Sequence, residues 1–550
     1  MSAATVNIAA ALSTMADRYP DKKAVVWTAG RDSTGNPRYA HLTFRELERM
    51  ADGYARGLRA AGLERGMRTL LMVRPGADFF ALTFSLLKIG AVLVLIDPGM
   101  GPRNMARCLT DIDVQAFIGV PAAHVFRKLY PRTFRSVRLA VTAGRRWFWG
   151  GYRLPDILVD APHTSPPAST RADEPAAILF TSGSTGPAKG VLYEHGIFDA
   201  QVCYLQSCYG YGPEEVDLPT FPLFALFDAA LGMTAVIPEM DFTRPAAVDP
   251  VKILRTIADH GCTHMFGSPA LLNRIARFGH EHGVRLNTIK RVITCGAPIT
   301  PALLESLHKL LPDDAEIFTP YGATEALPVA SIGSREILAE TRAQTEQGKG
   351  TCVGRPLPGI ETQIIELTDE PIADCSRVKV LPTGQIGEIV VKGSIVTREY
   401  YARPGPTALA KIQDNQAVWH RMGDVGYLDE RGRLWFCGRK AHRVQSEQGT
   451  LFTVPCEAIF NQHPRAFRSA LVGVGEAPRQ KPVICIELVP EDDRGNLEQL
   501  TDELLALGAA HEHTRSIQTV LYHPSFPVDV RHNAKIFREK LADWAAEQLS

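Results

Sequence analysis

Ten residues, Thr181-Ser-Gly-Ser-Thr-Gly-Pro-Ala-Lys-Gly190, combine four hydroxyl side chains, three glycines and one ammonium group. Thr181, Ser182, Ser184 and Thr185 can donate O–H bonds. Gly183 and Gly186 let a ligand approach bare backbone, and Lys189 adds a point charge. The set suits a polyphosphate, whose oxygens accept from backbone N–H, hydroxyl and ammonium together. It is not a Walker A loop, because Ala188 precedes the lysine and Gly190 follows it. A flexible Ser/Gly linker has no reason to follow an apolar run such as Ala176–Phe180 or to carry a lysine.

Other stretches supply what a nucleotide needs. Tyr321-Gly-Ala-Thr-Glu-Ala326 offers a flat ring beside bare backbone at Gly322, a hydroxyl at Thr324 for a phosphate, and at Glu325 a hard oxygen ligand suited to Mg²⁺. In Gly423-Asp-Val-Gly-Tyr, Asp424 can accept two ribose hydroxyls through its two oxygens. Arg439, after Gly438, offers a planar fork to ribose or phosphate. Near the C-terminus Lys535 lies in Phe526-Pro-Val-Asp-Val-Arg-His-Asn-Ala-Lys-Ile-Phe537.

These segments together resemble the adenylate-forming superfamily of acyl-CoA synthetases, luciferase and nonribosomal adenylation domains. The resemblance implies that ATP and Mg²⁺ are used. It implies that Thr181, Ser182, Gly183, Ser184, Thr185, Gly186 and Lys189 hold the phosphates. Gly296, Ala297 and Pro298 would form the adenine-contacting turn, with Tyr321, Gly322, Thr324, Asp424 and Arg439 around the nucleoside. Lys535, Glu325 and Thr185 would be catalytic, Glu325 as the metal ligand. The chain departs from the family pattern at Ala188 (usually Pro), Ala225 (often His, near the acyl pocket), Ala441 (a hinge Asp or Lys) and Ala534 (Gly before the lysine).

Over essentially its whole length the chain looks most similar to the β-lactone synthetases of bacterial long-chain olefin biosynthesis. That implies adenylation of a long-chain β-hydroxy acid, a 2-alkyl-3-hydroxy fatty acid, whose own hydroxyl then displaces AMP. The acceptor is less specified than the activation. Gln445 stands where many thioester-forming relatives carry a basic residue, and with Ala441 it leans away from CoA. A long-chain fatty acyl-CoA synthetase stays open as the alternative. A catalytically silent ATP-binding regulator is disfavoured by intact Lys535, Glu325 and Asp424.

The elements that must position these residues are legible in outline. A chain of 550 residues exceeds one small core and calls for two or more domains. Thr43 with Glu46 forms a capping box that opens a helix through Leu58. Residues 68–73 read as a strand, and a helix starts near Ala77. Phe79 to Ile96 imitates a membrane span, but Lys88 lies inside it and Gly90 divides a helix from a β-branched strand. Strand-helix alternation means a parallel sheet with covered faces. Further on, helices are expected from Glu194 through Tyr204 and over 251–259. Strands are expected at 262–266 and 291–295, with a hairpin turn at Asp429–Gly432. The aromatics of Phe221–Phe227 read equally as core or as a pocket wall. The fold class is therefore α/β: a large multi-sheet N-terminal domain, 1–439, and a small mobile α+β lid, 440–550. The lid has strands at 469–475 and 483–489, a helix at 501–507, and the catalytic lysine.

Sixty basic and sixty acidic residues cancel, giving no support to nucleic acid as a partner. Ten cysteines without a C-x-x-C pair fit free thiols in a cytoplasmic setting, and no secretory signal is read at the N-terminus. Residues 114–155 hold eight basic residues and no acidic one, with aromatics interleaved over 126–153. Such a region is either a solvated basic face over core aromatics, the commoner case, or a surface that docks an anionic membrane or other enzymes of the pathway.

Overall fold

Thr43 opens its helix as expected. Its hydroxyl takes the Glu46 N–H at 3.2 Å, the Glu46 carboxylate takes the Thr43 N–H at 2.8 Å, and the helix runs Phe44–Ala60. The computed structural model describes residues 5–160, 165–181, 188–489, 495–528 and 535–550. Segment 79–96 divides at Gly90: helix Ala77–Ile89, a left-handed cap at φ +78°, then strand Val92–Leu95, buried throughout. Lys88 is buried because its ammonium meets Glu48 and Asp52, the latter at 2.8 Å, on the neighbouring helix. No described helix is long and apolar enough to cross a membrane.

Two sheets share one plan. The first orders Tyr152–Arg153, Leu139–Thr142, Ala116–Gly119, Arg68–Met72, Val92–Leu95, Pro175–Phe180 and Gly190–Glu194, parallel except for the last pair. The second orders Glu316–Phe318, Arg291–Ile293, His264–Phe266, Val216–Pro219, Thr234–Ile237, Lys23–Arg31 and Pro37–Thr43, again antiparallel only at its last pair. Fully buried, β-branched strands between helices are what parallel sheets with two covered faces require. The largest apolar core joins both sheets, through Leu47, Phe80, Leu93, Ala177, Val191 and Ala235 among others.

A third, antiparallel sheet carries Tyr321–Ala323, Ala326–Ser331, Thr351–Pro356, Leu434–Arg439, Ala417–Leu428, Gly387–Lys392 and Glu361–Ile365 in order. The turn at Asp429–Gly432 closes its hairpin: Asp429 Oδ1 takes the N–H groups of Arg431 and Arg433, both at 2.9 Å. A bulge between Val425 and Gly426 then shifts the register by one residue and sets Asp424 opposite Arg439.

Past Arg439 a short turn, Lys440–His442, leads into a small α+β unit. Lys440 and Arg443 still pair with the larger unit, Lys440 with Glu388 at 3.1 Å and Arg443 with Asp369. The small unit's sheet is Ala466–Val474, Lys481–Leu488 and Val520–Tyr522. Its own core centres on Phe460, Leu471, Ile484, Leu500 and Leu504. Several elements outrun their sequence limits, because pairing and packing extend them beyond the apolar run. The helix after Glu194 runs His195–Tyr209 to a left-handed Gly210, and the small unit's helix spans Leu497–Ala509. Strand His264–Phe266 instead begins later than expected.

Candidate active site

Thr181 and the turns leading to Gly296 and Tyr321 follow the C-terminal ends of parallel strands, where open α/β sheets bind ligands, whereas Asp424 and Arg439 lie on the antiparallel sheet. Thr181 follows strand Pro175–Phe180. The base of its loop is locked, since the Thr181 N–H donates to Lys189 O at 3.0 Å and the Lys189 N–H donates to Thr181 Oγ1 at 3.1 Å. Ser182, Gly183, Ser184, Thr185 and Gly186 lie outside the described residues. The Lys189 ammonium sits 4.8 Å from the centre of the Tyr400 ring, a cation–π contact.

Tyr400 was not singled out by any motif, yet it joins the two halves of the site. Its hydroxyl donates to Glu325 Oε1 at 2.5 Å, and burial followed by the Glu325 charge raises its own ionisation well above normal. Thr397 donates its N–H and hydroxyl to the Glu325 carbonyl, both at 3.0 Å, and the Tyr193 hydroxyl donates to the Thr324 carbonyl at 2.6 Å. Behind them Lys411 is buried, its ammonium on the Thr397 carbonyl and, at 3.2 Å, on Thr397 Oγ1. Burial lowers Lys411 to about 7 against the pull of Glu325. These partners lie on segments distant in sequence from Glu325, so spacing carried no signal of them.

Tyr321, Asp424 and Arg439 form one cluster, with Asp424 buried and the other two partly exposed. The Tyr321 hydroxyl donates to Asp424 Oδ2 at 2.6 Å, and Arg439 Nη1 stands 2.9 Å from Asp424 Oδ1. That ion pair is off the angle a hydrogen bond needs, so the buried Oδ1 accepts none among the described residues. It is an acceptor waiting for a donor, as a ribose hydroxyl would be. Burial raises the Asp424 carboxyl while Arg439 and Tyr321 pull it back, and Asp424 in turn raises Arg439. The Glu325 charge acts on both, which ties this cluster to the metal-ligand candidate. Gly322 is required at its position, since a Cβ there would stand 2.6 Å from Ala326 O.

Gly296, at φ +86°, opens the turn Gly296-Ala297-Pro298 after strand Arg291–Ile293. That strand is registered with Glu316–Phe318, which leads to Tyr321, so turn and ring emerge side by side. Cys295, just before the turn, is raised by burial to about 12, with the Lys535 charge pulling the other way. The charge of Lys535, carried by the small unit, is therefore felt at Cys295 beside this turn of the large one.

Beside Cys295 and Pro320 a largely apolar cavity of about 90 Å³ opens. Phe224 and Phe227 line it, whereas Phe221 is partly exposed, so the aromatic run supplies both pocket wall and surface. Tyr209, Tyr211, His264, Asp217 and Asp228 also reach it and were missed, because no motif marks them.

A family model described as AMP-binding enzyme matches residues 12–401. The chain is 47% identical over 549 residues to an olefin beta-lactone synthetase of Xanthomonas campestris pv. campestris, covering 98% of each. It is 48% identical to an olefin beta-lactone synthetase of Stenotrophomonas maltophilia, covering 99% of this chain and 98% of that one. Among solved structures, the amide bond synthetase McbA of Marinactinospora thermotolerans superposes with a TM-score of 0.78 at 23% identity, covering 98% of this chain and 99% of that one. With the family model matching residues 12–401 and near-half identity to these relatives along almost the whole chain, the chain belongs to the AMP-binding, adenylate-forming enzyme family.

Proposed function

We infer that this protein is an ATP-dependent β-lactone synthetase. It adenylates a 2-alkyl-3-hydroxy long-chain fatty acid, and the acid's own hydroxyl closes the ring, releasing AMP after pyrophosphate. The observation that carries this is near-half identity along the whole chain to two proteins named olefin beta-lactone synthetase.

A carboxylate resists nucleophiles because it is anionic and oxide leaves badly. Attack of its oxygen on the α-phosphorus of ATP expels pyrophosphate and leaves a mixed anhydride with a good leaving group. In the second step the hydroxyl oxygen bonds to C1, the C1–O bond to phosphate breaks, AMP departs, and the hydroxyl proton is released. Lys535, on the unit that turns about the stretch after Arg439 where Ala441 lies, neutralises charge building between carboxylate and α-phosphate. Asp424, Arg439 and Tyr321, with the turn Gly296-Ala297-Pro298, fix the nucleoside. Thr181 through Gly186 and Lys189 grip the outer phosphates, with Thr324 beside them.

Glu325 is the residue that would hold Mg²⁺. It meets the neutral Tyr400 hydroxyl rather than an ion-pair partner among the described residues, which leaves its charge for a cation. A Mg²⁺ held by Glu325 would supply charge neutralisation for the leaving pyrophosphate. Incubating enzyme, ATP, Mg²⁺ and a racemic 2-alkyl-3-hydroxy acid with and without CoA, followed by NMR of products, tests the reading. A β-lactone and AMP form without CoA; a thioester appearing only with CoA makes the enzyme an acyl-CoA synthetase instead.

We place the protein in the cytoplasm, where its ten free thiols persist, and peripheral to the membrane. Phe126, Phe134 and Trp149 of the basic-aromatic region are core, whereas Trp147 and Phe148 stand exposed beside exposed Arg145 and Arg146. This rim suits an anionic lipid surface. Flotation with anionic liposomes at low and high salt tests it: binding lost at high salt supports the site, and no binding at low salt removes it in favour of a protein partner or a plain solvated face.

A further inference from the structure

Asp217 and Asp228 have no part in activating the carboxylate, yet both line the cavity beside Cys295 and Pro320. Asp217 lies on strand Val216–Pro219 and Asp228 on helix Ala225–Leu231, and they are only 3% and 5% exposed. Both carboxyl groups open onto the same small cavity and each acts on the other's ionisation, so that a proton can be shared between them. Asp217 Oδ1 and Asp228 Oδ2 are fully buried and receive no hydrogen bond from an N–H or hydroxyl donor among the described residues.

The neighbours do not neutralise this pair. His264 Nε2 is 3.4 Å from Asp217 Oδ1, but burial and then Arg291 hold that imidazole down to about 3, so it is uncharged; its ring nitrogens face the Tyr211 hydroxyl. Lys22 acts on Asp228 from a distance, its ammonium given to the Gly232 carbonyl, and Arg291 is paired with Glu215 at 2.6 Å. Burial therefore pushes Asp217 up to about 7, against Asp228 and the Leu218 N–H, and Asp228 well above the usual carboxyl range. Buried oxygens without donors are costly to keep. Elsewhere on the wall Leu205, Phe224, Phe227, Leu231, Phe266 and Ile293 offer what a hydrocarbon wants. A carboxyl pair adds nothing for a plain alkyl chain, but one shared proton and free lone pairs match a hydroxyl, itself donor and acceptor.

We propose that the Asp217–Asp228 pair recognises the 3-hydroxyl of the substrate, one carboxyl oxygen accepting the O–H while the shared proton is offered to the hydroxyl oxygen. The proposal rests on the β-lactone reading above and makes the pair a specificity determinant distinct from Lys535 and the nucleotide residues. It also gives the cavity a task in keeping with its size, which admits the functional end of the acid rather than two alkyl arms.

The test compares kcat/KM for pyrophosphate release from matched 2-alkyl-3-hydroxy and 3-deoxy acids. It uses the wild type, Asp228→Leu and the double variant Asp217→Leu/Asp228→Leu. A site built to bond a hydroxyl discriminates strongly against its absence, so the wild type prefers the hydroxy acid by about tenfold or more, and the variants lose most of that ratio. A wild-type ratio near one overturns the proposal, as does an equal fall on both acids in the variants, which marks a merely structural pair. Should the variants fail to fold, the wild type alone decides with the 3-methoxy acid, which cannot donate: treatment equal to the hydroxy acid overturns the proposal. Product analysis separates the two readings, since a wild type that forms no lactone at all refutes the function and not the discrimination ratio.

Discussion

The Tyr400 hydroxyl donates to Glu325 Oε1 at 2.5 Å, while the same ring carries the Lys189 ammonium on its face. One side chain thereby links the base of the phosphate-type loop to the candidate metal ligand. Strand pairing fixes it there: Tyr400 bridges to Val191, and the Tyr401 N–H donates to the Gly190 carbonyl at 2.8 Å.

Tyr400→Phe keeps the ring under Lys189 and removes only the O–H. A hydrogen bond to a charged group contributes about 1.5–3 kcal/mol, so adenylation slows about tenfold or more and needs more Mg²⁺. Pyrophosphate exchange against Mg²⁺ concentration reads both, and an unaltered curve dismisses the link.

Lys535→Ala lowers pyrophosphate exchange by about two orders of magnitude or more, the scale seen on losing one preorganised transition-state donor. ATP binding, followed by calorimetry, changes little, because the lysine acts on charge that develops later. Near-wild-type exchange would falsify its catalytic role.

Asp424→Ala removes the carboxylate whose Oδ1 accepts no hydrogen bond among the described residues, and leaves Arg439 without its ion-pair partner. The KM for ATP rises about tenfold or more, the loss of one or two charge-assisted hydrogen bonds. Wild type discriminates ATP from its 2′- and 3′-deoxy analogues, and the variant does not. If discrimination survives in the variant, the ribose is held elsewhere.

Lys411 couples stability to pH. The unfolded chain holds its proton up to about 10.5, the folded chain only up to about 7. Between those values the unfolded state binds more protons, so stability rises with pH, by up to about 1.4 kcal/mol per pH unit. Below about 7 the cost of burying the lysine is felt in full. Denaturant midpoints at pH 6, 7.5 and 9 therefore show wild type gaining on Lys411→Met as pH rises. Parallel curves for the two proteins contradict a buried, easily deprotonated lysine.

Local order was legible wherever neighbours in sequence decide it. The capping box at Thr43 and Glu46, the break at Gly90, and the turn Asp429–Gly432 act within a few residues. The turn sets the register as far as Gly426 opposite Phe436, but a bulge between Val425 and Gly426 shifts it by one residue, and only that shift brings Asp424 opposite Arg439. Chemistry-bearing residue types were legible too, since a phosphate, a ribose and a divalent ion each demand particular donors and acceptors.

What only the tertiary structure decided is which distant side chains complete those groups. Tyr400 and Thr397 on Glu325, Lys411 behind them, the Lys535 charge felt at Cys295, and the Asp217–Asp228 pair all depend on separate sheets and units packing together. Lys88 shows the same divide: its charge in an apolar segment told against a membrane span, but only packing supplied Glu48 and Asp52. A buried polar group takes whatever partner packing brings within about 3 Å, and nothing in local spacing encodes which partner that is.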